Sequence, residues 1–224
     1  IAAPGKVDLP APYARLLRDI PFIRQMWIDP PMIIDPPINK RMGVFRRVER
    51  NPLERVALDP MKFLCYPAQV GPLVVLVCFH QEFMGLGASL ANLFELAADE
   101  RIAAGVDAVY VYGAPSESMV EFGDLPAVFF DDEARGLLVG AVPLEDRFGY
   151  FGYLKKMVLT LHNAVMLKRG RMPFHGAMTR IALAGGAAAN VLIIGDTATG
   201  KSESLEAFRI LGRDCIRELR IIAD

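Results

Sequence analysis

The chain has 224 residues, with 25 Lys+Arg against 26 Asp+Glu and a net charge of −1, so no basic excess marks it as a nucleic-acid binder. At 53% hydrophobic it can bury one large core or two small ones, yet no apolar run is long enough to span a bilayer. Three cysteines, Cys65, Cys78 and Cys215, form no C-x-x-C; they suit small buried residues in a reducing, cytoplasmic compartment and argue against a disulfide framework or a zinc knuckle.

The chain opens Ile-Ala-Ala-Pro-Gly without a methionine or a signal-peptide pattern, and it stops at Arg-Ile-Ile-Ala-Asp224 inside what reads as a strand. It is therefore expected to be a fragment, or the ordered part of something longer. Ile1–Asp8 reads as a loose lead-in, and Pro12–Trp27 has helical spacing through Leu16, Leu17, Ile20, Ile23 and Met26. Pro30, Pro31, Pro36 and Pro37 make Asp29–Pro37 an extended connector. Lys40–Arg55 carries Arg41, Arg46, Arg47, Arg50 and Arg55, which read either as a solvated face or as an anion site.

Pro72–Phe79 is expected to be a strand, Gly85–Ala98 an apolar helix and Asp107–Tyr112 a second strand. Ala127–Phe130 and Gly136–Val142 read as a hairpin around the acidic turn Asp131-Asp132-Glu133, which is expected to be solvated rather than metal-binding. A helix from Leu154 ends at Lys168-Arg169-Gly170. On it, Lys155 and Lys156 lie about 100° apart, so they cannot face one small site equally. Met172–Thr179 reads as a short strand carrying His175, and the Gly/Ala run Ala182–Ala189 turns the chain back. His80 and His162 are assigned structural places.

Val191–Ile194, apolar and β-branched, reads as a buried strand that leads into Gly195-Asp-Thr-Ala-Thr-Gly-Lys-Ser202, a match to G-x-x-x-x-G-K-[ST]. This pattern is a phosphate-binding loop. Its residues Gly195, Asp196, Thr197, Ala198, Thr199 and Gly200 would aim backbone N–H groups at phosphate oxygens. Lys201 would reach the β- and γ-phosphates, and Ser202 would offer its hydroxyl to Mg²⁺. A helix begins at about Lys201 and adds its positive end to the anion site; it carries Leu205, Phe208 and Leu211 on one face. Leu219–Ala223 is a last apolar strand that delivers Asp224 at its C-terminal end. The chain is thus expected to be α/β, with a mixed α+β domain over residues 1–170 and the start of a P-loop nucleotide-binding domain over 171–224.

Tyr150-Phe-Gly-Tyr-Leu-Lys-Lys156, the helix ending Lys-Arg-Gly170, Met172-Pro-Phe-His175 and the loop Gly195–Ser202 together resemble phosphoenolpyruvate carboxykinase, the ATP-using form most. Tyr150, Gly152, Lys155, Lys156 and His175 match its Y-x-G-E-M-K-K and P-M-H elements; Tyr153 stands where that pattern has Glu. The loop sequence itself looks more like HPr kinase, which also has a His-Gly upstream, as in His175-Gly176. The resemblance covers about Asp124 to Asp224, and the R-S-P-K-D stretch that carries the carboxykinase substrate arginine is not found.

The resemblance implies an enzyme that decarboxylates oxaloacetate and phosphorylates the resulting enolate with ATP or GTP. It implies Mg²⁺ at Ser202 and Mn²⁺ held by Lys156, His175 and Asp224, with Lys156, His175, Lys201 and Asp224 catalytic. Tyr150 and Lys155 would bind the small carboxylate substrate. Neither nucleic acid nor membrane is an expected partner. A missing C-terminal half, or a partner chain, would supply the base pocket. The alternative is an HPr-kinase-like phosphotransferase acting on serine or a hydroxylated metabolite, with His175 and Asp224 handling the acceptor hydroxyl.

Overall fold

The apolar run after Pro72 becomes strand β3, Leu73–His80, in which all eight residues are buried. Burial on both faces follows from its place inside a sheet with side chains packed above and below. In the computed structural model, the described residues are 7–27, 29, 43–124, 127–195 and 199–223. The chain divides into two compact units, Ile1–Arg169 and Gly170–Asp224.

The first unit is a seven-stranded mixed sheet flanked by helices. Its further strands are β1 (Phe45–Val48), β2 (Phe63–Val70), β4 (Glu95–Leu96), β5 (Ala108–Ala114), β6 (Ala127–Asp132) and β7 (Leu137–Pro143), in the order β1-β6-β7-β5-β3-β2-β4. The inner strands β3, β5 and β7 run parallel, while the hairpins β2–β3 and β6–β7 are antiparallel. One sheet face buries Val75, Val77, Phe79, Tyr110 and Tyr112; the other buries Val74, Leu76, Cys78, Val109 and Val111. That alternation is the period-two signature of a strand with two cores.

Helix α1, Ala11–Leu17, covers the second face with Tyr13, Leu16 and Leu17. The helical spacing through Trp27 does not persist: Pro21 interrupts it, because proline lacks an N–H and disfavours helix in the residue before it. Phe22 instead makes a parallel bridge to Cys65. The expected helix over Gly85–Ala98 is likewise cut short. It is α2, Met84–Ala88, followed by a 3₁₀ turn over Ser89–Asn92 and then β4. Gly85 and Gly87 weaken it as a helix, and a Cβ on Gly87 would overlap the Phe79 ring, so close packing takes precedence over propensity. The short helices α3 (Asp99–Ala103) and α4 (Ser116–Met119) flank β5.

The acidic turn is solvated only in part: residues 133–136 are exposed, as the sequence indicates, but Asp132 before them is buried. Strand β6 continues through Asp132, which is 3% exposed and accepts a hydrogen bond from the Tyr13 hydroxyl at 2.6 Å and an ion pair from Arg135 at 3.1 Å. The Asp131 carboxylate pairs with Lys168 at 2.6 Å and Arg47 at 3.8 Å. These acids are hydrogen-bond or charge partners for α1, β1 and the end of α5 (Phe151–Lys168), the long helix against the first face. Arg135 is a local partner of Asp132, but Lys168 and Arg47 lie far along the chain from Asp131, and sequence could not place them.

The second unit is a three-stranded antiparallel sheet, β8 (Gly176–Leu183), β9 (Ala188–Ile194) and β10 (Ile216–Ala223), in the order β10-β8-β9, with α6 (Lys201–Leu211). The fully buried Thr179 hydroxyl donates to the Arg220 carbonyl at 3.0 Å, tying the centre of β8 to β10. The run Val191–Ile194 does form a strand, but it is an edge strand and not buried: Leu192 is 44% and Ile194 58% exposed. Apolar, β-branched composition favours the strand; it does not decide what covers it. No helix among the described residues is long and apolar enough to cross a membrane.

Candidate functional site

Topology gathers three sequence-predicted features at one end of the second unit's sheet. Strand β8 runs antiparallel to both neighbours, so β9 and β10 end where β8 begins. His175 immediately precedes β8, Gly195 immediately follows β9, and Gly176 pairs with Ile194. The Gly195 N–H donates to the His175 carbonyl at 3.3 Å. On the other side, Ala223 of β10 pairs with Met178. The histidine, the start of the phosphate loop and the end of β10 are thereby held on one scaffold. Asp224, Asp196, Thr197 and Ala198 lie outside the described residues.

Each glycine of the motif has a local steric reason. A Cβ on Gly195 would overlap the Thr199 hydroxyl and stand 3.1 Å from Thr199 Cβ, so Thr199 packs directly against Gly195. Gly200 has φ 81° and ψ 22°, the left-handed conformation in which a side chain is strained. From Gly200 the chain enters α6, whose first bond is Ser204 N–H to the Gly200 carbonyl at 2.8 Å. Lys201 is the first helical residue and Ser202 the second. The backbone N–H groups of that first turn point out of the helix end, which favours an anion there. Leu205, 3% exposed, anchors α6 to the sheet and fixes the direction of that end.

His175 is in a bend and not, as its sequence context suggested, within a strand. Its ring is exposed and makes no hydrogen bond among the described residues. A Cβ on Gly176 would come within 2.6 Å of the Ile193 carbonyl oxygen, so glycine is needed after His175 for β8 and β9 to pair at this end. An exposed imidazole fits either metal ligation or proton transfer.

Tyr150, Lys155 and Lys156 belong to the first unit. Helix α5 begins at Phe151, three residues earlier than its periodicity indicates, with Tyr150 as the extended residue before it. The Tyr150 ring lies over Gly152, where a Cβ would overlap it. Two tyrosines of β5 hold this first turn: Tyr110 donates to the Tyr153 carbonyl at 3.2 Å, and Tyr112 donates to the carbonyls of Phe148 and Tyr150. Burial pushes the Tyr110 and Tyr112 hydroxyls up from their ordinary pKa, so they remain donors. Sequence reading missed both. Their only signal was two tyrosines spaced by two in a strand, placing them on one face.

Tyr153, Leu154, Met157, Val158 and Leu161 form the buried stripe of α5. Tyr153 packs edge-on against Phe148, ring centroids 5.1 Å apart, so the residue that replaces Glu in the carboxykinase-like pattern serves the core. Lys155 and Lys156 are half-buried beside that stripe, and neither has an ion-pair partner among the described residues.

Among the described residues, no three His, Cys, Asp or Glu side chains come together as a metal site. Of the expected set, Lys156 is of another residue type and Asp224 lies outside the described residues. Ser202 offers a hydroxyl at the start of α6, the position from which the P-loop pattern presents a hard oxygen to Mg²⁺. The arginine-rich segment is partly spoken for: Arg47 pairs with Glu133 at 3.5 Å and Arg50 with Glu121 at 2.9 Å. Arg41 is outside the described residues. No protein-family model matches this chain, and a search of curated protein sequences returned no match.

Proposed function

We propose that the chain binds a nucleoside triphosphate at Gly195–Ser202 and transfers its γ-phosphoryl group as a phosphoenolpyruvate carboxykinase-like enzyme, with oxaloacetate as the source of the accepting enolate. The observation that carries this reading is the convergence of the loop, His175 and the end of β10 at one end of a three-stranded sheet, with Gly200 opening α6. The domain is accordingly read as a P-loop domain of the carboxykinase type, working in the cytoplasm.

In this reading the backbone N–H groups of the loop and of the first turn of α6 hold the β- and γ-phosphates. Lys201 spreads the charge that develops on the transferring group, and Ser202 would hold Mg²⁺. His175 and Lys156, with Asp224, would hold Mn²⁺; lysine does so only as its free amine. A bound Mn²⁺ would supply Lewis-acid stabilisation of the enolate oxygen. Tyr150 and Lys155 bind and orient the carboxylate. ATP or GTP serves as donor.

A second reading is favoured by one observation. Gly176 is required by its close approach to the Ile193 carbonyl, and the pair His175-Gly176 with the Thr-Gly-Lys-Ser-Glu loop has the HPr-kinase pattern. The acceptor would then be a serine or hydroxylated metabolite, with His175 as general base.

The deciding experiment supplies oxaloacetate, Mg²⁺, trace Mn²⁺ and, in turn, ATP, GTP or pyrophosphate, and follows phosphoenolpyruvate. Formation of product that loses its Mn²⁺ dependence in Lys156→Ala and His175→Ala, with nucleotide still bound, supports the first reading. No product with any donor removes it, and transfer to a serine peptide without Mn²⁺ establishes the second.

A further inference from the structure

Cys65 and Cys78 are separated in sequence but symmetric about the turn Gly71-Pro72. Gly71 has φ 56°, as the first position of a II′ hairpin turn requires, and Val70 pairs with Leu73 across it. Counting outward from that turn, Cys65 stands directly opposite Cys78. Both are fully buried in the same core layer.

The backbone bonds show which kind of pair this is. The Cys65 N–H donates to the Pro21 carbonyl at 2.9 Å, and its carbonyl accepts from Ile23 N–H at 2.8 Å. Both backbone groups of Cys65 therefore point away from β3. Cys65 and Cys78 form a non-hydrogen-bonded antiparallel pair, in which Cα atoms approach to about 4.5 Å and side chains lie closest. That separation is inside the range of about 4.4–6.8 Å that a disulfide spans. Cys215, by contrast, is exposed and belongs to the other unit.

We propose that Cys65 and Cys78 are a two-electron redox pair that a small-molecule disulfide oxidises to a cross-strand disulfide within the folded protein. The Cys65 thiolate attacks the small disulfide RSSR, forming a mixed disulfide and releasing RS⁻. The Cys78 thiolate then attacks the Cys65 sulfur, forming the Cys65–Cys78 bond and releasing a second RS⁻. The two protons lost by the protein thiols appear on the two RSH products, so RSSR is reduced as the pair is oxidised. Cys65 reacts first because its strand is bordered there only by the short Pro21–Ile23 segment, whereas Cys78 lies on β3 between β2 and β5. Opening of that segment limits the rate, and exposed Cys215 reacts sooner. The bond staples β2 to β3 in their existing register.

The test uses the full chain carrying Cys215→Ser, treated with oxidised glutathione under native conditions. The expected result is an intact mass lower by two hydrogens, a Cys65–Cys78 linked peptide in a non-reducing digest, and reversal by dithiothreitol. A second chain adds Cys78→Val and Val77→Cys, which moves one thiol to the opposite sheet face with nearly the same sequence separation. Circular dichroism identifies chains that are folded. Native oxidation should link the first chain and not the second, while both link in denaturant. Recovery of Cys65 and Cys78 as free thiols, or only as glutathione adducts, overturns the proposal. So does equal linking of the two chains under native conditions.

Discussion

Replacing Gly195 with alanine tests whether the phosphate loop depends on its contact with Thr199. A Cβ at position 195 would overlap the Thr199 hydroxyl and lie 3.1 Å from its Cβ and 3.5 Å from its Cγ2. Relief requires Gly195 and Thr199 to separate by on the order of 1 Å, a displacement that can cost about a hundredfold when it misplaces reacting groups. As an overpacking change it should cost about 1–3 kcal/mol, which corresponds to a fall of about 5- to 150-fold in nucleotide affinity. Thr199→Ala removes the hydroxyl and methyl but leaves the close Cβ, so it should restore part of that loss in the Gly195→Ala background. Calorimetric titration of Mg²⁺·ATP into the parent, both single variants and the double variant measures the coupling, expected to be at least about 1 kcal/mol. Thr199→Ser retains the oxygen and should not rescue. Additive losses in the double variant, or unchanged affinity in Gly195→Ala, would refute the steric account of this glycine.

In the proposed phosphoryl transfer, Lys201→Ala should lower the rate by at least about a hundredfold, measured by single-turnover transfer at saturating nucleotide, because the ammonium would act on charge that develops in the transition state. Gly200→Ala places a side chain at φ 81° and should cost about 1–2 kcal/mol in folding or the equivalent in nucleotide binding; unchanged thermal midpoint and affinity together would argue against it. Asp132→Ala leaves the buried Tyr13 hydroxyl, now bonded at 2.6 Å, without its charged acceptor. Urea unfolding should show a loss of about 2–3 kcal/mol, and a loss under about 0.5 kcal/mol would contradict the assigned network. At high pH, burial and then the Glu95 charge push the Tyr66 hydroxyl up to about 12. An unfolded tyrosine titrates near 10, so the unfolded chain releases its proton first and stability falls as pH rises from about 10 to 12, by about 2–3 kcal/mol from this residue. Tyr13, Tyr110 and Tyr112 shift in the same direction. Thermal melts across that range should show the decline, with a shallower slope in Tyr66→Phe; a flat profile would contradict it.

The features legible in the sequence are those enforced within a few residues. The glycine spacing of Gly195–Ser202, the strand ahead of it and the amphipathic helix behind it express steric demands and side-chain periods that any reader of the chain can count. The β6–β7 hairpin and the C-terminal end of α5 are legible for the same reason. Proline at position 21 and the glycines of α2 carried the opposite warning, and there a helical period over a longer window was misleading.

Only the tertiary structure decided which distant groups meet. Tyr110 and Tyr112 fasten the start of α5, Asp131 receives Lys168 and Arg47, and Cys65 faces Cys78 because strands pair in a particular order and register. It also decided that Val191–Ile194 lies at an exposed sheet edge, and that His175 is bonded through its backbone to the first residue of the phosphate loop. Local composition selects an element's conformation, since sterics and solvation act over neighbouring residues. An element's partners are selected by how all the apolar faces and charges can be satisfied at once, and that balance exists only in the folded chain.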